Sequence, residues 1–204
     1  MICGVICVGK IEQNKEQKRR AILAAAKQQF LTEGYASANM GKIADQAQLT
    51  KQTVYRYFPS KIELFQATLR FMGNSDGESF LDHLEDPNAE DGLRRFALAF
   101  AQAHLTQDHL QTFRLLIAES GKAPEMIESF FQVGPNETGA TLAMFFADRL
   151  GVQDSEQPVR LWLAMLLAFR DKALLGQERP TEKEMRDHVT AATDLLLLGL
   201  AQKG

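Results

Sequence analysis

Thr50-Lys51-Gln52-Thr53-Val54-Tyr55-Arg56-Tyr57-Phe58-Pro59-Ser60-Lys61 is the stretch on which the reading of this chain turns. Thr50 can cap a helix with its hydroxyl, and Pro59-Ser60 stops one, so residues 51–57 are predicted to form a short helix. Val54 and Phe58, four positions apart, give it an apolar side. The opposite side carries Lys51, Gln52, Tyr55 and Arg56, flanked by Thr50, Thr53 and Tyr57: long donors, hydroxyls and aromatics, with no acid. Such a face suits the phosphate-lined major groove of duplex DNA. Lysine and arginine neutralise phosphate, hydroxyls donate to its oxygens, and Gln52 can reach a base edge, adenine being its usual bidentate partner.

Upstream, Asn39 is placed to cap a second short helix at residues 40–47, which adds Lys42 to the same surface. The tight Gln48-Leu49 connection then joins it to the helix at 51–57. Ile43, Ala44, Leu49, Val54 and Phe58 are spaced so that both short helices pack on a longer one at residues 14–33, where Ile22, Ala26 and Phe30 recur at helical intervals and Gly34 provides the stop. This is helix-turn-helix patterning. Downstream, a helix is expected at 61–72, then the linker composition Gly73-Asn74-Ser75-Asp76-Gly77 and a break at Pro87-Asn88. Further helices are expected at 89–105, 111–120, 124–133, 137–150, 156–175 and 182–201, the last opened by a Thr181/Glu184 capping box. Strand patterns are nearly absent, so the fold class is all-α. Three segments are expected: a loose extension at 1–13, a DNA-binding domain at 14–60 and a helical regulatory and dimerisation domain at 61–204.

Charge supports that division. The whole chain carries a formal −3, yet residues 1–61 hold ten Lys or Arg against four acids, or +6, which leaves −9 for the remainder. A basic module on an acidic body is the footprint of a protein that meets a polyanion with one part only. With 45% hydrophobic and 24% charged residues over 204 positions, the chain can bury a core, which excludes a disordered or collagen-like polymer. The two cysteines, Cys3 and Cys7, build no disulfide framework, and a reducing, cytoplasmic setting is expected. Residues 1–9 lack the basic start and the length of a secretory leader, and no stretch approaches the ~20 apolar residues of a membrane helix.

The residues from Gly34-Tyr35 through Ile43-Ala44, and those from Leu49 through Lys61 quoted above, resemble the DNA-binding domain of TetR-family transcriptional regulators over about residues 15–65. The resemblance implies DNA contacts from Thr50, from residues 51–57 and from Lys61. Two positions depart from the family pattern. Ala38 stands where a threonine is common, which removes a phosphate contact, and Gln52 stands where a small residue is usual, which adds a base-reading side chain. The remainder resembles the family's ligand-sensing domain, and Phe113-Arg114-Leu115-Leu116-Ile117-Ala118-Glu119 with Pro124-Glu125 and Phe131 is similar to the AefR-like subgroup.

Other motifs read as bland. Gly73-Asn74-Ser75-Asp76-Gly77 satisfies the G-x-S-x-G string of an esterase elbow, but that serine needs a preceding strand, and a helix precedes it here. Gly41-Lys42 lacks the spacing and the hydroxyl of a phosphate loop. His104 and His109 are five apart and share no helix face, so a helix end with Asp108 as cap is favoured over a metal site. No metal or cofactor is implied. Taken singly, the aromatics of the acidic body are core residues; in a sensor domain, Phe100, Phe113, Phe131, Phe145, Trp162 and Phe169 beside His104 would wall an apolar ligand site, with Arg114 and Arg170 as further polar handles.

One short reading helix makes few base contacts, so a homodimer on paired half-sites is expected. Leu161, Met165 and Ala168, with Leu195, Leu196 and Leu200, form the candidate seam, and the resemblance implies dimerisation through the last two helices. The expectation is therefore a homodimeric repressor that binds an operator and is released by a small, largely apolar effector. A constitutive DNA-binding or interaction protein, and an all-α enzyme, stand as alternatives; neither paired carboxylates nor an oriented nucleophile supports the enzyme.

Overall fold

The computed structural model describes residues 3–73 and 79–201, and among them every regular element is a helix. The first, α1, runs Cys3–Glu33. It starts ahead of the expected residue 14 and takes in much of the segment read as a loose extension. Residues 10–20 are rich in Lys, Glu, Gln and Arg, which propagate a helix without tertiary support, and the side chains of residues 11–17 are all exposed. Ile22, Leu23 and Ala26 are fully buried and Phe30 nearly so, and α1 ends at Gly34, whose φ of +83° is cheap only for glycine.

Two short helices follow, α2 at Met40–Gln46 and α3 at Lys51–Tyr57. Asn39 Oδ1 accepts from the Gly41 amide at 2.7 Å, and Thr50 Oγ1 accepts from the Thr53 amide at 3.2 Å, so both expected caps are made. Between the helices Gln48 takes a φ of +57°, the left-handed residue that closes the turn. α4 spans Lys61–Gly73 and starts on Ser60, whose hydroxyl accepts from the Glu63 amide at 3.2 Å. Its Phe65 packs edge-on against Phe30 at 5.4 Å and Tyr35 at 5.1 Å. The central linker lies mostly outside the described residues, at 74–78.

The chain resumes in an unanticipated 3-10 helix, Phe80–Glu85, opened by a reciprocal Ser79/Asp82 capping box. Then come α5 (Ala89–Ala103), α6 (Gln107–Glu119), α7 (Pro124–Val133), α8 (Pro135–Leu150), α9 (Glu156–Leu166), α10 (Arg170–Leu174) and α11 (Glu182–Ala201). α6 begins four residues before the expected 111, so Asp108 sits within its first turn and does not cap an end. The His109 amide reaches the Thr106 hydroxyl at 3.4 Å instead.

The stretch expected as one helix at 156–175 is split into α9 and α10. Ahead of the break, His188 of α11 takes the Met165 carbonyl at 2.7 Å, and the turn tightens into i to i+3 bonds from Ala168 to Met165 and from Arg170 to Leu167. α11 opens on the expected box, with the Thr181 amide 2.8 Å from Glu184 Oε2 and the Glu184 amide 3.3 Å from Thr181 Oγ1.

The chain forms two compact units. The first comprises Met1–Phe71 with Leu115–Phe130, and the second Met72–Arg114 with Phe131–Gly204. The division falls inside α4, inside α6 and inside α7, so each of these three helices gives one part to either unit. The core of the first unit is Ile22, Ala26, Phe30, Ile43, Val54, Leu64 and Phe65. That of the second gathers Phe96, Phe100, Phe146 and Trp162 with α11's Val189 and Leu196. Trp162 is wholly buried, and its indole N–H finds the Thr193 hydroxyl at 3.3 Å.

Candidate nucleic-acid interface

Burying Val54 and Phe58 turns α3 so that Lys51, Gln52, Tyr55 and Arg56 all face solvent, as the pattern predicted. Thr50 Oγ1 and Thr53 Oγ1 lie 2.9 Å apart, so the cap ties the two hydroxyls together at the start of the reading helix. The Lys51 ammonium lies 5.8 Å from the Tyr55 ring centre and the Arg56 guanidinium 5.9 Å from that of Tyr57. These contacts hold the cations at the surface while leaving their N–H groups free to reach an anion. Lys42, on α2, is exposed and makes only a long ion pair to Glu33, 3.9 Å, which water screens.

Lys61 differs from the expected outward phosphate ligand. Its ammonium donates to the carbonyls of Tyr35 at 2.9 Å and Ala36 at 3.0 Å, and lies 4.7 Å from the Tyr35 ring centre. The turn between α1 and α2 exposes successive carbonyls with no helical partners, and a cation satisfies several of them at once. Ala38, the position of the common threonine, is buried, and its carbonyl lies 3.5 Å from the same ammonium.

Three features escaped the sequence reading. An open cleft of about 410 Å³ is lined by Lys15 and Lys18 of α1 and by Arg56 and Tyr57 of α3, together with Ile11 and Asn14. The basic surface therefore continues from the reading helix onto α1. The charges of 15 and 18 were visible and lie within the expected helix, but no local signal sets them beside Arg56. Second, the Glu119 carboxylate accepts from the Ala36 amide at 2.9 Å within the first unit, and no local signal ties these distant positions. Tyr35 is affected by the same environment: burial, and then Glu125, push its phenol up to about 12.

The third feature is His109. The rings of His104 and His109 approach to 4.2 Å between centres, although the two residues share no helix face. The chain turns between α5 and α6, and it is the turn that brings the tilted rings together. Among the described residues no group of three or more His, Cys, Asp or Glu could hold a metal ion.

The candidate ligand wall in the second unit is only partly assembled. Phe100, Phe145 and Trp162 are buried in the core, and Phe100 stacks on His104 at 4.0 Å. Phe113 lies beneath Arg170 at 4.4 Å, and Phe169 meets His188 at 4.9 Å. Phe131, in contrast, is 50% exposed. Of the polar handles, Arg114 closes the end of α10 through the Ala173 and Leu174 carbonyls, and Trp162 is bonded to Thr193. The candidate seam splits similarly. Leu161 and Leu195 are exposed, joined by Leu198, but Leu196 is buried in the core, because consecutive leucines on a helix point about 100° apart. Met165 and Leu200 are half-buried and Ala168 is exposed.

Residues 22–68 match the family described as bacterial regulatory proteins, tetR family, and residues 91–199 match the AefR-like transcriptional repressor C-terminal domain. The HTH-type transcriptional activator FasR of Mycolicibacterium smegmatis is 39% identical over 56 residues, 28% of this chain and 26% of FasR. The nucleoid occlusion factor SlmA of Aliivibrio fischeri is 28% identical over 125 residues, 58% of this chain and 63% of SlmA. The chain thus matches about a quarter of one and under two thirds of the other. Among solved structures, the flavonoid-responsive regulator FrrA superimposes with a TM-score of 0.72 at 25% identity, covering 90% of this chain and 97% of FrrA. A TetR family transcriptional regulator from Pseudomonas syringae pv. tomato gives 0.64 at 25% identity over 89% and 95%. Family and fold are those of transcription regulators, and no described helix is long and apolar enough to cross a membrane. With the reading helix, its caps and both domain matches in place, the chain belongs to the TetR family of DNA-binding transcriptional regulators.

Proposed function

We propose that the chain is a cytoplasmic homodimeric repressor that binds its operator through α3 and leaves it when a small, largely apolar effector enters the second unit. The observation that carries the DNA half is the acid-free exposed face of Lys51, Gln52, Tyr55 and Arg56 on a capped helix. In this reading Gln52 reads a base edge, Lys51, Arg56, Lys42, Thr50, Thr53 and Tyr57 hold phosphates, and Lys15 and Lys18 extend the backbone contacts along α1. Lys61 acts from behind, fixing the turn that leads into α2.

The effector half follows from the helices that contribute to both units. A ligand alters DNA affinity only if it prefers one of two arrangements of the reading heads, so it must act on elements that both units share. α4 is one such lever and α6 another, since α6 carries Phe113 at its middle and Glu119, bonded to the Ala36 amide, at its C-terminal end. A coupling of about 1 to 3 kcal/mol would lower operator affinity roughly 5- to 150-fold. Phe131 is left out of the wall in this reading, because half its surface is in water.

A constitutive regulator has one observation in its favour, the full burial of Trp162 within the candidate wall. Filling the wall distinguishes the two. Ala103, half-buried next to His104, is the position to fill, whereas Ala143 is exposed. Ala103→Leu or Ala103→Phe should leave operator binding intact and abolish release by an effector, and normal release from both variants would remove the wall from the mechanism.

A further inference from the structure

Five side chains of the second unit form a continuous column. The Phe100 and His104 rings are 4.0 Å apart, His104 and His109 4.2 Å, His109 and Phe113 5.2 Å, and the Arg170 guanidinium carbon lies 4.4 Å over Phe113. Its polar members are incompletely paired. His104 Nδ1 is 2.7 Å from the Phe100 carbonyl, which only accepts, so that nitrogen carries the proton. His109 Nε2 and Arg170 Nε are shut off from solvent without a hydrogen-bond partner. The Asp171 carboxylate, 3.8 Å from Arg170 Nε, is too far for a hydrogen bond and points into water at 82% exposure.

The chemistry of the column selects the sign of its occupant. Burial, helped by Arg170, holds the His104 imidazole neutral, down to about 4. Burial, then His104, then Arg170 bring His109 to about 2. Desolvation also lowers Arg170, whose charge acts on both rings. A metal cation would meet that charge without an acidic ligand to offset it. An anion would neutralise it and supply acceptors to Arg170 Nε–H, a donor in every state, and to His109 Nε2 in its protonated tautomer. Phe113 touches both the His109 ring and the Arg170 guanidinium, so the surface beside these two donors is apolar and aromatic.

We propose that the unpartnered nitrogens of His109 and Arg170, both set against Phe113, form a binding site for the carboxylate of an apolar, aromatic acid. The proposal rests on the reading of this unit as the effector-sensing part, and it narrows the effector to a monoanion.

The test is titration calorimetry of the full chain with 3-phenylpropionate and its neutral analogue 3-phenylpropanol, with Trp162 fluorescence and thermal unfolding as checks of folding. The wild type should bind the acid at least tenfold more tightly than the alcohol. Arg170→Gln should remove that preference while leaving the alcohol's affinity within about twofold. His109→Phe, which keeps the ring and removes the nitrogen, should weaken acid binding several-fold and carries the test if the arginine variant does not fold. A wild type without preference for the acid, including one that binds neither compound at millimolar concentration, overturns the proposal, as does a folded Arg170→Gln variant that retains the preference. Operator release, followed in parallel, separates the two readings. Selective binding of the acid without release leaves the carboxylate site standing and removes the effector role, whereas release by the alcohol as readily as by the acid keeps the effector role and removes the site.

Discussion

Glu119 Oε2 accepts the backbone N–H of Ala36 at 2.9 Å, joining residues 83 positions apart. Glu119 is the last residue of α6, 8% exposed, and Ala36 lies in the turn between α1 and α2. Gly34, at the head of that turn, packs so closely that a Cβ added there would come within 3.2 Å of the same carboxylate. One carboxylate thus determines how the chain enters the helix-turn-helix.

Removing it should loosen that entry. Glu119→Ala should lower unfolding stability by about 1 to 3 kcal/mol in urea titrations, because the Ala36 amide loses a buried, charged acceptor. Glu119→Gln, whose amide oxygen still accepts, should cost less. If α6 is a lever, the glutamine variant should bind operator and respond to effector more weakly than the wild type. Equal stability of the alanine variant and the wild type would show the contact to be of no consequence.

Lys51 and Lys61 separate surface from scaffold. Lys51→Ala should weaken binding to all duplexes similarly and reduce the slope of log affinity against log salt by about 1. Lys61→Ala should leave that slope nearly unchanged and instead destabilise the first unit by roughly 1.5 to 3 kcal/mol, since its ammonium donates to the turn's carbonyls. The opposite assignment of effects would return Lys61 to the DNA-contacting face. Measuring affinity over a salt series together with urea unfolding decides it.

The two short helices were legible to within one residue because their signals are local. Asn39, Thr50 and Pro59 start and stop α2 and α3 within a few positions, and burying Val54 and Phe58 dictates which side faces out. What escaped has causes distant in the chain. The break between α9 and α10 involves His188, 23 residues from Met165, and the close approach of His104 and His109 arises from a turn that defeats the helical-face argument. The contacts of Lys61 with the Tyr35 and Ala36 carbonyls were equally hidden, because a lysine at a helix start reads the same whether its head meets phosphate or carbonyl. In the leucine run, sequence spacing found the stripe but not its facing, so Leu196 went inward and Leu195 and Leu198 outward.

That facing yields a test of assembly. Leu195 and Leu198 are each 62% exposed and Leu161 56%, apolar surface that a partner copy would cover. Leu195→Glu with Leu198→Glu should convert a dimer into a particle of about the 22.8 kDa chain mass in light scattering at micromolar concentration, with helical content kept. A wild type that already runs at that mass would contradict the dimer.

Acid should destabilise the second unit through its two imidazoles. Their pKa values in the folded chain, about 4 for His104 and about 2 for His109, lie below the ordinary 6.5, so the unfolded chain takes up protons first. Stability is complete above pH 6.5 and falls as pH drops from there toward 4, by about 2 kcal/mol per histidine between pH 7 and pH 5. Urea midpoints over that range should fall less steeply for His109→Phe than for the wild type. Parallel curves would mean that the imidazoles titrate freely.

Reading of DNA by α3 is the central claim, and selection of binding sites from random duplex DNA, with the wild type and with Gln52→Ala, tests it most directly. The wild type should enrich a two-fold symmetric motif whose half-sites are spaced by about one helical turn, roughly 34 to 36 Å, or a multiple of it. Gln52→Ala should recover the same motif with preference relaxed at one position in each half-site, a loss of roughly 1 to 3 kcal/mol there. Enrichment of no motif by the wild type, or of an unchanged motif by the Gln52→Ala variant, would contradict it.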